Sequence, residues 1–125
     1  MVSGNTPIAP ILSNNTFFNN NDGIVLRNYT NHTAAPVLTN NTFTANGIVA
    51  IYVAGDSLSG DMTITGNTGS TNKTNGIHLY GTLTKTLTLA PNPNLTYVAG
   101  LTIASGQALT IRPGAIVKFS GAGIS

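Results

Sequence analysis

An all-β solenoid, in which the chain winds into coils of about 26 residues and each coil lies on the one before, is predicted by three features of the sequence. One segment recurs at a fixed period. Short runs alternate apolar and polar residues between asparagine- and glycine-rich turns. The composition, finally, leaves long helices without the residues they need.

The recurrence carries most of the weight. Pro10-Ile-Leu-Ser-Asn-Asn-Thr-Phe17 returns as Pro36-Val-Leu-Thr-Asn-Asn-Thr-Phe43, and a fainter copy reads Met62-Thr-Ile-Thr-Gly-Asn-Thr68. In register, Leu12, Leu38 and Ile64 are each 26 residues apart, as are Asn15, Asn41 and Asn67. Farther along each copy a glycine opens a short strand: Gly23-Ile-Val-Leu26, Gly47-Ile-Val-Ala50 and Gly76-Ile-His-Leu79. Strands this short, so far apart in sequence, do not form hairpins of constant register. Coiling stacks them instead, at the inter-strand spacing of about 4.8 Å. Leu12, Leu38 and Ile64 then form one column of core side chains, and Ile24, Ile48 and Ile77 are expected to form a second. The Asn15, Asn41 and Asn67 column is the most specific, because a carboxamide both donates and accepts and so hydrogen-bonds along a stack while serving a tight turn. Asparagine also tolerates the left-handed backbone that such turns need. Phe17 and Phe43 stack beside this column, whereas Gly69 leaves the third coil less filled there.

Composition agrees. Asn and Thr supply 35 of the 125 residues, and only 8 are charged, far from the roughly one quarter of an ordinary soluble domain. Helices want Ala, Glu, Lys and Leu on exposed positions, and this chain has no Glu and three Lys. With 41% apolar residues and a net charge of +2, a core is affordable and disorder is not expected. The five cations are scattered, which argues against a nucleic-acid partner. There is no cysteine for a disulfide or a thiolate metal site, and the longest apolar run, Ile48 to Ala54, is too short for a membrane span.

The combination Leu-x-x-Asn-x-Phe followed by Gly-Ile-x-Leu resembles the repeat of right-handed parallel β-helix proteins of the pectate-lyase-like superfold, over about residues 8 to 80. The remainder, with Leu83-Thr-Lys, Tyr97-Val-Ala-Gly-Leu-Thr-Ile103, Leu109-Thr-Ile-Arg-Pro-Gly114 and Val117-Lys-Phe119, resembles a segment that opens β-helix modules in large bacterial surface proteins. Relatives usually carry an acidic residue just before that Pro-Gly, where this chain has Arg112. The resemblance implies a right-handed parallel β-helix at residues 1–81, with repeats near 8–33, 34–59 and 60–81. A loop and a capping or docking strand block follow at 82–125. Within it Ala90-Pro-Asn-Pro-Asn94 reads as a loop, since its prolines do not suit central strands.

Enzymes of that superfold place acidic clusters on one face, and glycoside hydrolysis takes two carboxyls flanking the bond. Here Asp22, Asp56 and Asp61 are the only acids, and each reads as a turn residue. His32 lies in a polar loop and His78 at an outward strand position, neither with partners at ligand spacing. No catalytic residue, metal site or cofactor is expected. A polysaccharide partner has better support, because sugars stack on tyrosines and bond to amides and hydroxyls. Tyr29, Tyr52 and Tyr80 each follow a repeat's glycine closely, and Tyr97 is a fourth candidate. Among the Asn-x-Ser/Thr sequons, Asn28, Asn31, Asn72 and Asn94 fall in expected loops where a glycan fits, while Asn14 and Asn40 adjoin the ladder. The expected function is a non-enzymatic structural segment of an extracellular surface protein or fibre. It would associate end to end with like units or with neighbouring repeats of a longer chain. A carbohydrate-binding adhesin-like module, or a piece of a larger polysaccharide lyase or hydrolase, is the alternative.

Overall fold

The computed structural model describes residues 10–27, 36–58 and 62–124. Three coils of three strands each come first. They comprise β1 (Ile11–Ser13), β2 (Thr16–Phe18) and β3 (Ile24–Arg27); β4 (Val37–Thr39), β5 (Thr42–Thr44) and β6 (Val49–Leu58); and β7 (Thr63–Thr65), β8 (Thr68–Ser70) and β9 (Thr74–Leu83). Two coils of two strands follow, β10 (Leu87–Leu89) with β11 (Thr96–Ile103), then β12 (Leu109–Ile111) with β13 (Val117–Ile124). Every pairing is parallel and joins a strand to its counterpart one coil away. The walls of the solenoid are thus β1-β4-β7, β2-β5-β8 and the long β3-β6-β9-β11-β13, with β10-β12 as a separate pair.

Alternation with period two decides which residues go inside. Leu12, Leu38 and Ile64 pair in register on the first wall, as the repeat predicts. Phe17 lies on Phe43 on the second, the rings 5.0 Å apart and 9° from parallel. Gly69 continues that column without a side chain, and the space is not empty. Leu95 fills it so closely that a Cβ at position 69 would clash with its Cδ2.

On the long wall the expected column of Ile24, Ile48 and Ile77 is wrong at its middle member. Ile24 pairs with Ile51, which pairs with Ile77 and then Tyr97. Ile48 is 53% exposed, whereas Ile51 is fully buried. The reason is a corner of unequal length. The second coil spends one residue more than the first between its β5 or β2 strand and its long-wall strand, so Gly47 lies beside Asn20, and it is Ala50 that matches Gly23. Counting from the glycine therefore places the isoleucine too early.

Residues 82–124 continue the solenoid. β9 runs through residue 81 to Leu83, and β11 pairs with it over eight consecutive residues. What changes is the cross-section. The chain passes from Asn92 to Tyr97, and from Gly114 to Val117, without a strand on the second wall, so the last two coils have two walls rather than three. β7 and β10 do not pair either, and a groove of about 240 Å³ opens between them, lined by Ile64, Thr65, Thr88 and Arg112 among others.

Ile51→Ala should cost about 2–5 kcal/mol by emptying a packed column, and Ile48→Ala less than about 0.5 kcal/mol. Urea melts of the two variants check this assignment of register.

Candidate functional site

Two arrangements stand out: the asparagine corners and an aromatic cluster on the outer face of the long wall. Asn15, Asn41 and Asn67 form the expected ladder, and it has a fourth rung. The backbone N–H of Asn15 donates to Asn41 Oδ1, that of Asn41 to Asn67 Oδ1 and that of Asn67 to Asn92 Oδ1, each at 3.0 Å. The carboxamide Nδ2 groups donate to the same oxygens at 3.3, 3.1 and 2.8 Å. In return each Nδ2 reaches back to a carbonyl of the previous coil, Asn41 to Leu12, Asn67 to Leu38 and Asn92 to Ile64. The left-handed backbone falls one residue before the rung, at Asn14, Asn40 and Gly66 (φ 60°, 57° and 70°), and not on the ladder asparagine itself.

A second ladder at the next corner escaped the sequence reading. Asn20 donates to Asn46, and Asn46 to Asn72, through the same backbone-to-carboxamide bonds. Asn46 and Asn72 reach back to the carbonyls of Phe17 and Phe43. Its signal was present, since 20, 46 and 72 also differ by 26, but the flanking residues differ and mask it. Left-handed residues again precede each rung: Asn19, Ala45 and Thr71. For Ala45 and Thr71 that conformation costs about 1–2 kcal/mol each, which the ladder bonds must offset.

These bonds revise two expectations. Asn72 is not a loop sequon but a buried rung whose Nδ2 is committed to Phe43 and Asn75, so a glycan does not fit there. Asn94 is exposed. Asn28 and Asn31 lie outside the described residues, as do Tyr29, His32 and Asp61 and the side chain of Asp56. The Ala90–Asn94 loop hides the fourth rung, Asn92, 5% exposed between its two prolines.

Both ladders are closed at the same end. Asn75 Oδ1 accepts from Asn72, ending the second. The first ends at Tyr97, whose hydroxyl accepts from Asn92 Nδ2 (2.8 Å) and donates to the Ala90 carbonyl (2.7 Å). Tyr97 is thus an interior residue and no sugar contact. Period-two phase with Leu101 would have shown it. Burial pushes its hydroxyl up to about 12, with the Asn92 bond pulling the other way.

The other two described tyrosines, Tyr52 and Tyr80, do come together. Tyr52 and His78 share an outward column with Val25 and Val98, and Tyr80 stands in the next. Ring centroids lie 5.9 Å apart for Tyr52 and Tyr80 and 5.8 Å for His78 and Tyr80, the latter pair edge to face at 89°. The Arg27 guanidinium sits 5.2 Å from the Tyr52 ring centre. Tyr80 lies across Gly100, where a Cβ would come within 2.8 Å of its ring. Burial lowers the pKa of His78, opposed by the Asp22 charge, and its Nε2 has no hydrogen-bond partner among the described residues.

Stacked parallel strands, inward columns and carboxamide ladders define a parallel β-solenoid. Residues 9–92 match the family described as right handed beta helix region, 84 of the 125 residues, and the chain belongs to that family. No curated protein and no solved structure matches it. Among the described residues, no three His, Cys, Asp or Glu side chains gather as metal ligands, and no helix is long and apolar enough to cross a membrane.

Because the fold holds Tyr97 neutral, its contribution is complete below the ordinary tyrosine value of 10.0 and is lost as pH rises from there through about 12. Stability should fall over that window by on the order of 2 kcal/mol. Tyr97→Phe should flatten this alkaline limb while lowering stability at pH 7, as denaturant melts across pH will report.

Proposed function

We propose that the chain is a structural, non-enzymatic β-helix segment of an extracellular surface protein or fibre, extending end to end with like coils into a longer array or filament. The observation that supports it most is the contrast between inner and outer coils. Leu38, Asn41, Phe43 and Asn46 are buried in the second coil. Their counterparts in the first, Leu12 and Phe17, are half-buried, and Asn15 and Asn20 are exposed. At the far end Ile111 and Phe119 are each 45% exposed, on strands that form the edge of their sheets. An open strand edge with an apolar flank is a template for another strand. In a solenoid the matching surface is one more coil.

The non-enzymatic part of the proposal is supported by supply. Three aspartates and no glutamate leave little for acid–base work, and Asp22 stands half-buried at the turn before β3. The extracellular setting is supported by an exterior of Asn, Thr and Gly with little charge.

Electron microscopy of the purified chain over a dilution series tests the assembly. Thin rods of constant width that shorten on dilution are the expected result, and monodisperse particles at every concentration would exclude association between like units.

A second reading, carbohydrate binding, is favoured by one feature. Gly100 lets Tyr80 lie across the sheet beside Tyr52, and aromatic rings presented in this way are what a sugar face packs on. Tyr80→Ala should abolish any signal on a glycan array without changing the far-ultraviolet spectrum. An array with no signal for the native chain removes this reading.

A further inference from the structure

We propose that the front of the first coil, from Leu12 to Asn20, is a docking surface for one more strand–corner–strand–corner segment of a β-helix. That segment is uncharged and carries asparagines five residues apart. The inference rests on reading the chain as a structural solenoid, and it names the partner that the open face takes.

The ladders have a direction. Each asparagine serves the coil before it, its Oδ1 accepting that coil's N–H and its Nδ2 reaching that coil's carbonyl. At the closed end the series stops on groups of the chain itself, Tyr97 and Asn75. At the front it does not stop. Asn15 and Asn20 donate onward to Asn41 and Asn46, but among the described residues no donor reaches the Oδ1 of either. The Asn15 Nδ2 donates to Asn41 Oδ1 and to the Ser13 carbonyl, and among the described residues no carbonyl of a preceding coil accepts from it. Two carboxamide acceptors are therefore presented in the arrangement that the second coil presents to the first.

The extent of the opening defines the occupant. Asn15, Phe18 and Asn20 are exposed and Leu12 and Phe17 half-buried, whereas Ile24 and Leu26 on β3 are buried. The open area covers the first two walls and their two corners. A partner therefore needs two short strands and two corners, with apolar residues facing Leu12 and Phe17. Pro10 to Asn21 contains no charged residue, so nothing on this face calls for a charged partner. Asn15 and Asn20, Asn41 and Asn46, and Asn67 and Asn72 share one spacing, which sets the spacing on the partner. The rear of a second copy meets this requirement only in part. Its last coil goes from Gly114 directly to Val117, so it offers an N–H opposite Asn15 and nothing opposite Asn20.

The test is a labelled synthetic peptide with the sequence of residues 36–48, titrated into the full chain and followed by anisotropy. Saturable binding is expected. It should weaken about tenfold when the peptide carries both Asn41→Ala and Asn46→Ala, as fits the loss of two hydrogen bonds. A peptide of residues 109–119 should bind at least as weakly as that variant. In the chain, Asn15→Leu with Asn20→Leu should remove binding, while Asn15→Asp with Asn20→Asp, which keep an acceptor oxygen, should retain it. No saturable binding, or binding unaffected by the leucine pair, overturns the docking surface. Rods that form equally well from the leucine variant would also overturn it and leave the structural reading standing. Peptide binding by a chain that stays monomeric would do the reverse, sinking association between like units alone.

Discussion

Everything in this fold depends on a side chain that completes the backbone of a coil other than its own. A buried carboxamide with an unmade hydrogen bond costs about 1–3 kcal/mol, so each corner is satisfied only when the next coil lies in the correct register. Apolar columns impose that condition less sharply, because leucine on isoleucine carries no polar group that a wrong register leaves unpaired. Asn41 and Asn67, fully buried between their neighbours, each carry one. The ladder holds the first corner at its period while the rest of the coil varies, and the extra residue near Ile48 is absorbed between fixed points.

Much of this was legible in the sequence because the strongest constraint also leaves the plainest mark. Identical geometry at each first corner requires nearly identical residues there, so the Leu, Asn and Phe positions recur visibly and the solenoid follows from them. The second corner obeys the same chemistry with looser neighbours. Asn20 follows Asn19, Asn46 follows Ala45 and Asn72 follows Thr71, and only the spacing connects them. Asn92 was hidden differently. Its flanking prolines signal a loop, and the loop is real, but a corner needs no strand on both sides to carry a rung. Ile48 misled because Gly-Ile-Val repeats as words while the corner before it does not repeat in length. The family match through residue 92 reaches as far as that fourth rung.

The aromatic cluster illustrates the opposite case. Tyr52 and His78 are one 26-residue period apart, but their residue types differ and Tyr80 matches Ala54, so the repeat does not mark the cluster. Their meeting follows from strand register, which places position 52 beside 78 and position 54 beside 80. Proximity to a glycine in sequence does not locate them; the structure puts them on the flat of the long wall, with Gly100 clearing the space that Tyr80 occupies. Tyr97 shows how little separates the two fates of a tyrosine. One step of strand phase sends it inward, where its hydroxyl becomes the terminal partner of a ladder.

The loss of the second wall after the third coil has a mechanical consequence. A rod resists bending more steeply the farther its walls stand from its axis, and three walls enclose more section than two. The first three coils therefore form the stiff part of the rod, and the coils built from β10 to β13 the compliant part. A transverse load on the molecule would be taken up beyond Leu95, the side chain that plugs the end of the vanished wall.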